Sequence, residues 1–375
     1  MKYAVLGAGL MGKAVAYDLL QQSDTEEVYL TDNSENKLSE TSWMLGDKRL
    51  KTELIDANNI EELSFILKQV DAAVAAIHYA YNIEFTKLAI ETKTHLCDLG
   101  GNNDVVDQQL KMSAQAQKAG ISIIPDCGLA PGMIAVLIKW GLDNFTWVDT
   151  VKARVGGLPK EPTGTLRYGR LFSVEGLINE YIEPVRVLRD GKLIQIEPLT
   201  EIEEIDFPPP YGRLEAFSTS GGLSTLVDSY GDRLKNLDYK TIRYPGHCGA
   251  IRAMFELGLF SSSPIQLGGR QITPRDLTSA LIEKNIPLCE DDVTLVKIIF
   301  EGKGKSHALT VIDEGIEKPP LTAMMRTTAF PASIIAQMQA RGVIDKTGVI
   351  PQEKCVPTDM FIEELKKRDI KVDGV

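Results

Sequence analysis

The chain has 375 residues, and its 52 acidic and 41 basic side chains give a formal net charge of −11. This acidity opposes nonspecific binding to nucleic acid, and no apolar run approaches the roughly 18 residues of a membrane span. The five cysteines show no C-x-x-C spacing, which indicates reduced thiols in a cytoplasmic protein and neither a disulfide framework nor a metal site. Because the first apolar segment begins at residue 2, no signal peptide is expected.

Residues 1–126 show a regular alternation of strand and helix patterns. Strands are predicted at 2–6, 27–31, 51–55, 71–77, 94–98 and 121–125. Helices are predicted at 10–22, 35–45, 59–69, 82–92 and 104–119. Short apolar strands separated by helices favour an α/β fold with a Rossmann-type, doubly wound parallel sheet. The ligand of such a sheet lies across the carboxyl ends of its strands.

The first strand runs directly into a G-x-G-x-x-G pattern that opens a helix. Gly7 allows the tight turn, Gly9 lets a pyrophosphate approach the backbone, and Gly12 lets the helix pack on the strand. The phosphates would contact the free N–H groups of the first helical turn, at Leu10 and Met11. The pattern alone is weak evidence and often marks only a turn, so it needs a second signal.

That signal is Asp32, which ends the second strand 20 residues after Gly12. A carboxylate there binds the ribose hydroxyls of NAD and repels the 2′-phosphate of NADP. Residues 33–35 contain no Arg or Lys that could hold a phosphate. The sequence therefore predicts NAD as the cofactor. Asp56 follows the third strand and either approaches the adenine or caps the helix near Asn58.

Three further loops follow the fourth, fifth and sixth strands and should meet the glycine loop above the sheet. An alternative is that their glycines only turn the chain. The candidates in these loops are Ile77, His78, Gly100 and Gly128 for the cofactor, and Tyr79 and Asp98 for the substrate.

The pattern changes after residue 128. A helix at 133–143 is followed by a strand at 148–155 and by two hairpins, at 185–196 and 293–312. Helices at 173–183, 249–258 and 274–285 could cover one face of the resulting sheet. This pattern predicts an inserted α+β domain with a mostly antiparallel sheet. Helices at 331–341 and 359–368 are expected to return to the first domain, which gives boundaries of 1–128, 129–322 and 323–375.

Several motifs resemble those of the saccharopine-dehydrogenase-like family. They are Gly-Leu-Ala-Pro-Gly at 128–132, Gly-Gly-Leu-Pro at 156–159, Thr-Ile-Arg-Tyr-Pro-Gly-His at 241–247, Asp-Leu-Gly-Gly at 98–101 and Met-Arg-Thr-Thr-Ala at 325–329. The resemblance implies a Rossmann domain completed by the C-terminal segment, with an inserted domain for substrate binding and subunit contact. It also implies a homodimer or higher homo-oligomer.

Within this family, the motifs are most similar to the branch that transfers hydride from the ε-carbon of lysine to NAD. Ammonia and 2-aminoadipate 6-semialdehyde are the products that this resemblance implies. The saccharopine-forming branch usually has Asp at the position of Ala130 and Cys at the position of Val155, so both departures count against saccharopine. The alternatives are a saccharopine- or carboxynorspermidine-type reductase, and a redox sensor that binds NAD without catalysis.

The chemistry requires a neutral amine. The ε-ammonium of lysine titrates near ~10.4, so at pH 7.5 the neutral form lies about 4 kcal/mol uphill, which desolvation or a base must offset. Asp126 is a candidate base, or it caps the turn that follows it. His247 is a second candidate because a turn should expose it, although a lone histidine is often structural. Arg243, with Thr241 beside it, should bind the substrate carboxylate unless it forms an interdomain salt bridge.

Overall fold

The computed structural model describes residues 1–375. The strands, in chain order, are β1 (Lys2–Leu6), β2 (Glu27–Asp32), β3 (Leu50–Leu54), β4 (Ala72–Ala75), β5 (His95–Asp98), β6 (Ser122–Ile124), β7 (Thr150–Pro159), β8 (Val185–Arg189), β9 (Lys192–Ile196), β10 (Glu203–Phe207), β11 (Gly212–Ser218), β12 (Asn236–Arg243), β13 (Ile265–Leu267), β14 (Arg270–Ile272), β15 (Asp292–Gly302), β16 (Lys305–Asp313) and β17 (Gly348–Val349).

The helices connect many of these strands. In chain order they are α1 (Leu10–Leu20), α2 (Glu35–Leu45), α3 (Ile60–Leu67), α4 (Asn82–Thr92), α5 (Asn103–Leu110), α6 (Ser113–Ala119), α7 (Met133–Asn144), α8 (Val174–Ile182), α9 (Leu226–Tyr230), α10 (His247–Glu256), α11 (Pro274–Asn285), α12 (Ala323–Ala340), α13 (Gln352–Cys355) and α14 (Thr358–Lys367). None of them combines the length and apolar character needed to cross a lipid bilayer.

The first sheet contains seven parallel strands in the order β17-β6-β5-β4-β1-β2-β3. Its central strands β1 and β4 are buried almost throughout, as expected for strands covered by helices on both faces. The strand order reverses between β1 and β4, and the glycine loop follows β1 at this point. The predicted Rossmann-type parallel sheet is confirmed.

The second sheet is built around the order β10-β11-β12-β7-β15-β16, with β8 and β9 added beside β12. All its strand pairs are antiparallel except one, because β12 runs parallel to β7 with Thr241 opposite Val155. β7 continues to Pro159 and therefore includes the Gly-Gly-Leu-Pro motif that the sequence placed after a strand ending at 155. The prediction of a second, mostly antiparallel domain is confirmed.

The C-terminal segment packs against the first sheet. β17 pairs with β6 at its edge, and α12 packs on α1, β4 and β5. Arg368 forms a 2.6 Å ion pair with Asp18 on α1, and both side chains are almost fully buried. The last residues of the chain therefore complete the domain that the first residues begin.

Two predicted helices differ in the structure. The helix predicted at 104–119 is two helices, α5 and α6, and Ser113 at the start of α6 accepts a hydrogen bond from the backbone of Val349 on β17. The helix predicted to begin at Pro331 begins at Ala323 instead. The carboxylate of Asp292 accepts the N–H groups of Ala323 and Met324 at 2.5 and 2.9 Å. Thr322 also caps the helix locally, since its hydroxyl accepts the N–H of Met325 at 3.2 Å, and this local signal was missed.

Candidate active site

The loop between β1 and α1 has a backbone geometry that requires its glycines. Gly7 has a φ of 107°, and a Cβ on Gly12 would lie 1.8 Å from the carbonyl oxygen of Gly7. A Cβ on Gly9 would instead meet no atom of the chain within 4 Å. Two glycines are therefore needed for packing, whereas the third leaves open space beside the backbone, as a pyrophosphate requires.

Asp32 stands at the end of β2 with both carboxylate oxygens directed at the start of helices. Its Oδ2 accepts the N–H of Ala8 at 2.8 Å and its Oδ1 accepts the N–H of Ser34 at 2.9 Å. Lys37, in the first turn of α2, places its Nζ 3.8 Å from Oδ1. Residues 33–35 contain no Arg or Lys, but the helical turn of α2 brings Lys37 back towards Asp32.

Asp56 does not reach the main cavity. It lines a small cavity of about 60 Å³ beside Asp32, together with Ile55 and Tyr81. Its Oδ1 also accepts hydrogen bonds from the backbone and side-chain nitrogens of Asn58, both at 2.8 Å. The contacts with Asn58 support the capping alternative, and the approach of Asp56 to the adenine stays a prediction.

One cavity of about 590 Å³ extends from the glycine loop, past the loops after β4, β5 and β6, to the carboxyl ends of β7 and β12. The sequence-predicted residues that line it are Gly7, Gly9, Leu10, Met11, Asp32, Ile77, His78, Tyr79, Gly100, Gly128, Thr241 and Arg243. Gly12, Asp56, Asp98, Asp126 and His247 do not line it. A dinucleotide site and a buried arginine thus share one continuous space.

Arg243 is only 4% exposed, yet it lines this cavity. Its Nε donates to the hydroxyl of Tyr181 at 3.3 Å and its Nη1 donates to the carbonyl of Ile242 at 2.9 Å. The guanidinium lies over the ring of Tyr168, 5.2 Å from its centroid. Its Nη2 donates to no atom of the chain and lies 4.0 Å from Oε2 of Glu180. A buried guanidinium with a free edge is suited to bind an anion.

Glu180 is the main residue that sequence reasoning missed. It lies on α8, whose cavity-lining residues also include Gly176 and Asn179 at helical spacing, and Glu183 lines the cavity directly after the helix. Burial raises the pKa of Glu180 to about 7, while nearby Arg243 acts to lower it. The only available signal was the three-residue spacing of Glu180 and Glu183, which ordinarily marks a solvated helix face.

Thr241 precedes Arg243 on β12 by two residues and therefore faces the same side of the sheet. Its hydroxyl shares a 2.7 Å hydrogen bond with that of Thr219 and lies 3.5 Å from the hydroxyl of Tyr239. These contacts fix the hydroxyl beside the arginine at the cavity wall.

Asp126 has a left-handed φ of 62°, which directs its side chain away from the cavity. Ser224 donates a short hydrogen bond to its Oδ2, whereas its Oδ1 has no hydrogen-bond partner. Burial raises its pKa to about 7, and the neighbouring Asp98 adds to this rise. Asp98 itself is fully buried, and its Oδ1 accepts the N–H groups of Gly100 and Asp126. Both carboxylates support the loops behind the cavity and do not reach a ligand within it.

His247 is 1% exposed, so the expectation that a turn would expose it was wrong. Its Nε2 lies 3.0 Å from the hydroxyl of Tyr181, and its Nδ1 lies 2.7 Å from the carbonyl of Leu166. Burial and nearby Arg243 lower its pKa to about 3. The ring is therefore neutral near pH 7, and it does not line the cavity.

The loop after β4 connects the two domains across the cavity. Nε2 of His78 lies 3.3 Å from Oε2 of Glu175, and the hydroxyl of Tyr79 accepts a hydrogen bond from Asn179 at 3.3 Å. The two partners lie one turn apart on α8. His78 and Tyr79 are thus positioned between the cofactor end and the arginine end of the cavity.

A nicotinamide dinucleotide fits this arrangement. The open space at Gly9, the free first turn of α1 and the carboxylate of Asp32 are the features that such a ligand needs, and all three line one cavity. The loops after β4, β5 and β6 then surround the position for the nicotinamide end.

The family comparison covers nearly the whole chain. Residues 3–124 match the saccharopine dehydrogenase NADP binding domain, and residues 128–370 match the saccharopine dehydrogenase C-terminal domain. Carboxyaminopropylagmatine dehydrogenase of Synechocystis is 21% identical over 391 residues, which cover 97% of this chain and 95% of that protein. The mouse mitochondrial alpha-aminoadipic semialdehyde synthase is 21% identical over 271 residues, which cover 69% of this chain but only 28% of the synthase.

Solved structures support the same fold. Saccharopine dehydrogenase (L-Glu forming) of Saccharomyces cerevisiae has a TM-score of 0.79 at 18% identity, with 99% of this chain and 98% of that chain covered. The homospermidine synthase of Legionella pneumophila, solved in complex with NAD, has a TM-score of 0.69 at 12% identity and covers 100% and 91%. At such identities these likenesses show the fold alone. The two domain matches establish more: the chain belongs to the saccharopine dehydrogenase family and has its nicotinamide-cofactor-binding domain.

Proposed function

We propose that this protein is an NAD-dependent amine dehydrogenase that acts on the ε-amine of L-lysine, an L-lysine 6-dehydrogenase. Lysine, NAD⁺ and water would give 2-aminoadipate 6-semialdehyde, ammonium, NADH and a proton, and the semialdehyde would cyclise. The observation that carries the proposal is the continuous cavity between the glycine loop and the free Nη2 of Arg243.

In this proposal Arg243 binds the substrate α-carboxylate through the edge of its guanidinium that no chain atom occupies. When bound, the cofactor supplies the hydride acceptor. The cavity wall beside the arginine contains Val155, Gly156 and Met324. These apolar groups desolvate an incoming ammonium, which lowers its pKa and favours the neutral amine that the reaction needs.

The preference for NAD rests on Asp32. Its carboxylate stands where the adenine ribose of a dinucleotide would lie, and a 2′-phosphate would face its negative charge. Lys37 opposes this preference, because its ammonium lies 3.8 Å from the same carboxylate and could contact a phosphate. We expect Asp32 to prevail, because Lys37 is half exposed and its charge is shared with solvent.

The alternative is a saccharopine- or carboxynorspermidine-type reductase, which joins an amine to a carbonyl compound. The cavity is compatible with it, because the space continues beyond the dinucleotide loops to Arg243 and leaves that end for a substrate. The full-length similarity to carboxyaminopropylagmatine dehydrogenase also supports a larger amine substrate. Ala130 and Val155 remain arguments against saccharopine itself.

The deciding experiment measures reduced nicotinamide by absorbance at mildly alkaline pH. The protein is offered L-lysine with NAD, L-lysine with NADP, and saccharopine with each cofactor. Turnover with lysine and NAD is the expected result. Turnover with saccharopine alone would favour the reductase, and tight NAD binding without any turnover would favour a redox sensor.

We also propose a cytoplasmic homodimer or higher homo-oligomer that works without nucleic acid or a membrane. All five cysteines are free thiols. The surface formed by α10, α11 and the β13–β14 hairpin exposes Leu257, Ile265, Leu267, Leu277 and Leu281, each at least 48% accessible. Such a patch is suited to a subunit contact, and light scattering of the purified protein measures the oligomeric mass.

A further inference from the structure

The cavity contains two opposite charges that face each other without forming a direct hydrogen bond. Nη2 of Arg243 and Oε2 of Glu180 are 4.0 Å apart, whereas a direct charge-assisted pair closes to about 2.8 Å. Arg243 is only 4% exposed, whereas the side chain of Glu180 keeps 29% of its surface accessible.

The guanidinium is held in place by contacts within the chain. Tyr181 and the carbonyl of Ile242 accept two of its N–H groups, and the ring of Tyr168 lies beneath it. The backbone of Glu180 is held near the end of α8, where its carbonyl accepts the N–H of Ser220. Its carboxylate makes no hydrogen bond within the chain and can therefore turn towards a ligand beside the fixed guanidinium.

Each of the two groups has unused hydrogen-bonding capacity. Nη2 of Arg243 has no acceptor in the chain, and the carboxylate of Glu180 accepts no hydrogen bond from it. Glu183, one turn further on, differs because the hydroxyl of Ser220 lies 3.5 Å from its Oε2. A partly buried charge without a hydrogen-bond partner costs free energy, because the charge has lost contact with water. A ligand that accepts from Arg243 and donates to Glu180 at the same time would remove this cost and therefore bind well.

Resting on the proposed function, we infer that Arg243 and Glu180 together bind the head group of an α-amino acid, with its carboxylate on Arg243 and its α-ammonium on Glu180. These two ligand groups lie on one carbon atom, which matches two protein charges held a few ångströms apart. Glu180 then determines specificity, and the oxidised carbon must lie away from the head group. Diamines and ω-amino acids without an α-ammonium are poor substrates.

The charged groups around Glu180 are consistent with this assignment. Arg243 faces it from β12 and favours the carboxylate form, whereas burial favours the protonated form. An arriving α-ammonium adds a second cation on the open side and shifts the balance towards the carboxylate.

The test uses L-norleucine, which has the lysine head group and lacks the reacting amine, and hexanoate, which lacks the α-ammonium as well. Binding of each to the full-length protein saturated with NAD is measured by calorimetry at pH 8. We expect L-norleucine to bind at least about tenfold more tightly than hexanoate, the value of one charge-assisted hydrogen bond. Equal affinities in the unaltered protein would overturn the inference without any variant.

Glu180→Gln should abolish the preference for L-norleucine, whereas the matched control Glu183→Gln, directly after α8 and also lining the cavity, should keep it. A preference that survives Glu180→Gln, or that Glu183→Gln removes, contradicts the assignment. Lysine turnover is measured separately. An intact L-norleucine preference in a protein that does not oxidise lysine would reject the proposed reaction and still support the head-group site.

Discussion

Replacement of Arg243 tests the proposed carboxylate site most directly. Arg243→Met keeps most of the side-chain length but removes the charge and the planar donor edge. Two charge-assisted hydrogen bonds to the substrate carboxylate, each about 1.5 kcal/mol net, would be lost. The sum of about 3 kcal/mol corresponds to a loss of roughly 150-fold in kcat/KM for L-lysine.

Two further effects follow from the contacts of Arg243. The hydrogen bonds to Tyr181 and to the carbonyl of Ile242 disappear, which should lower the free energy of unfolding by about 1–2 kcal/mol. Arg243 also acts to lower the pKa of Glu180, so its removal raises that pKa further and protonates Glu180 near neutral pH. Thermal unfolding of the variant separates the loss of stability from the loss of binding.

The assay compares kcat/KM for L-lysine with that for L-lysinamide, which lacks the carboxylate. The unaltered protein should prefer L-lysine, and Arg243→Met should remove most of this preference. Arg170→Met is the matched control, because Arg170 is half-buried but bonds the carbonyl of Ile286 and does not line the cavity. If Arg243→Met lowered activity on both substrates equally, the role of Arg243 in carboxylate binding would be refuted.

Three other predictions concern the cofactor site and the buried carboxylate. Asp32→Ala should weaken the binding of NAD and favour that of NADP, whereas Lys37→Ala should selectively weaken the binding of NADP. Each change should be about tenfold in affinity, measured by fluorescence titration. An unchanged ratio of the NAD and NADP affinities would show that these residues do not select the cofactor. Gly9→Ala should fold normally but lose cofactor affinity, since its Cβ meets only open space, whereas Gly12→Ala should lower the unfolding temperature, since its Cβ would lie 1.8 Å from a backbone oxygen. Asp126→Asn should leave kcat within about tenfold of its original value, against the hundredfold loss or more expected of a general base. The pKa of Asp126 is raised to about 7 in the folded protein. Its protonated form is therefore compatible with the fold, and its contribution to the free energy of unfolding is complete below pH 4. That contribution is lost as pH rises through 7, because the buried carboxyl group then has to ionise. The unfolding temperature of Asp126→Asn, minus that of the unaltered protein, should therefore increase from pH 5 to pH 8. A difference that stays constant over this range would contradict the ionisation of a buried Asp126.

Local patterns carried enough information to predict the first domain. The first apolar strand and the glycine loop are encoded within a few residues of each other, and Asp32 follows at the spacing of 20 residues that the strand-helix-strand unit sets. Asn59, which accepts the N–H of Glu62 at the start of α3, and Gly120, which ends α6 with a φ of 77°, are further local signals that the structure reproduces.

The site residues were harder because their roles depend on contacts distant in sequence. Asp126 follows a strand as a catalytic residue would, but its left-handed backbone turns it towards Ser224, 98 positions away. His247 follows a turn that looked exposed, yet Tyr181 covers it. Glu180 belongs to no motif, and only the packing of α8 against the cavity places its carboxylate beside Arg243.

The single parallel pair in the second sheet explains how the motifs come together. Because β7 and β12 run in the same direction with Val155 opposite Thr241, the Gly-Gly-Leu-Pro motif and Arg243 lie at the same end of the sheet. In an antiparallel pairing, the two motifs would end at opposite edges, and Arg243 would lie far from the glycines. Gly156 permits this arrangement, because a Cβ there would approach the carbonyl oxygen of Ile242 to 2.4 Å. The departure from antiparallel pairing, which sequence alone did not predict, is therefore what brings the carboxylate site to the cofactor-binding edge of the first domain.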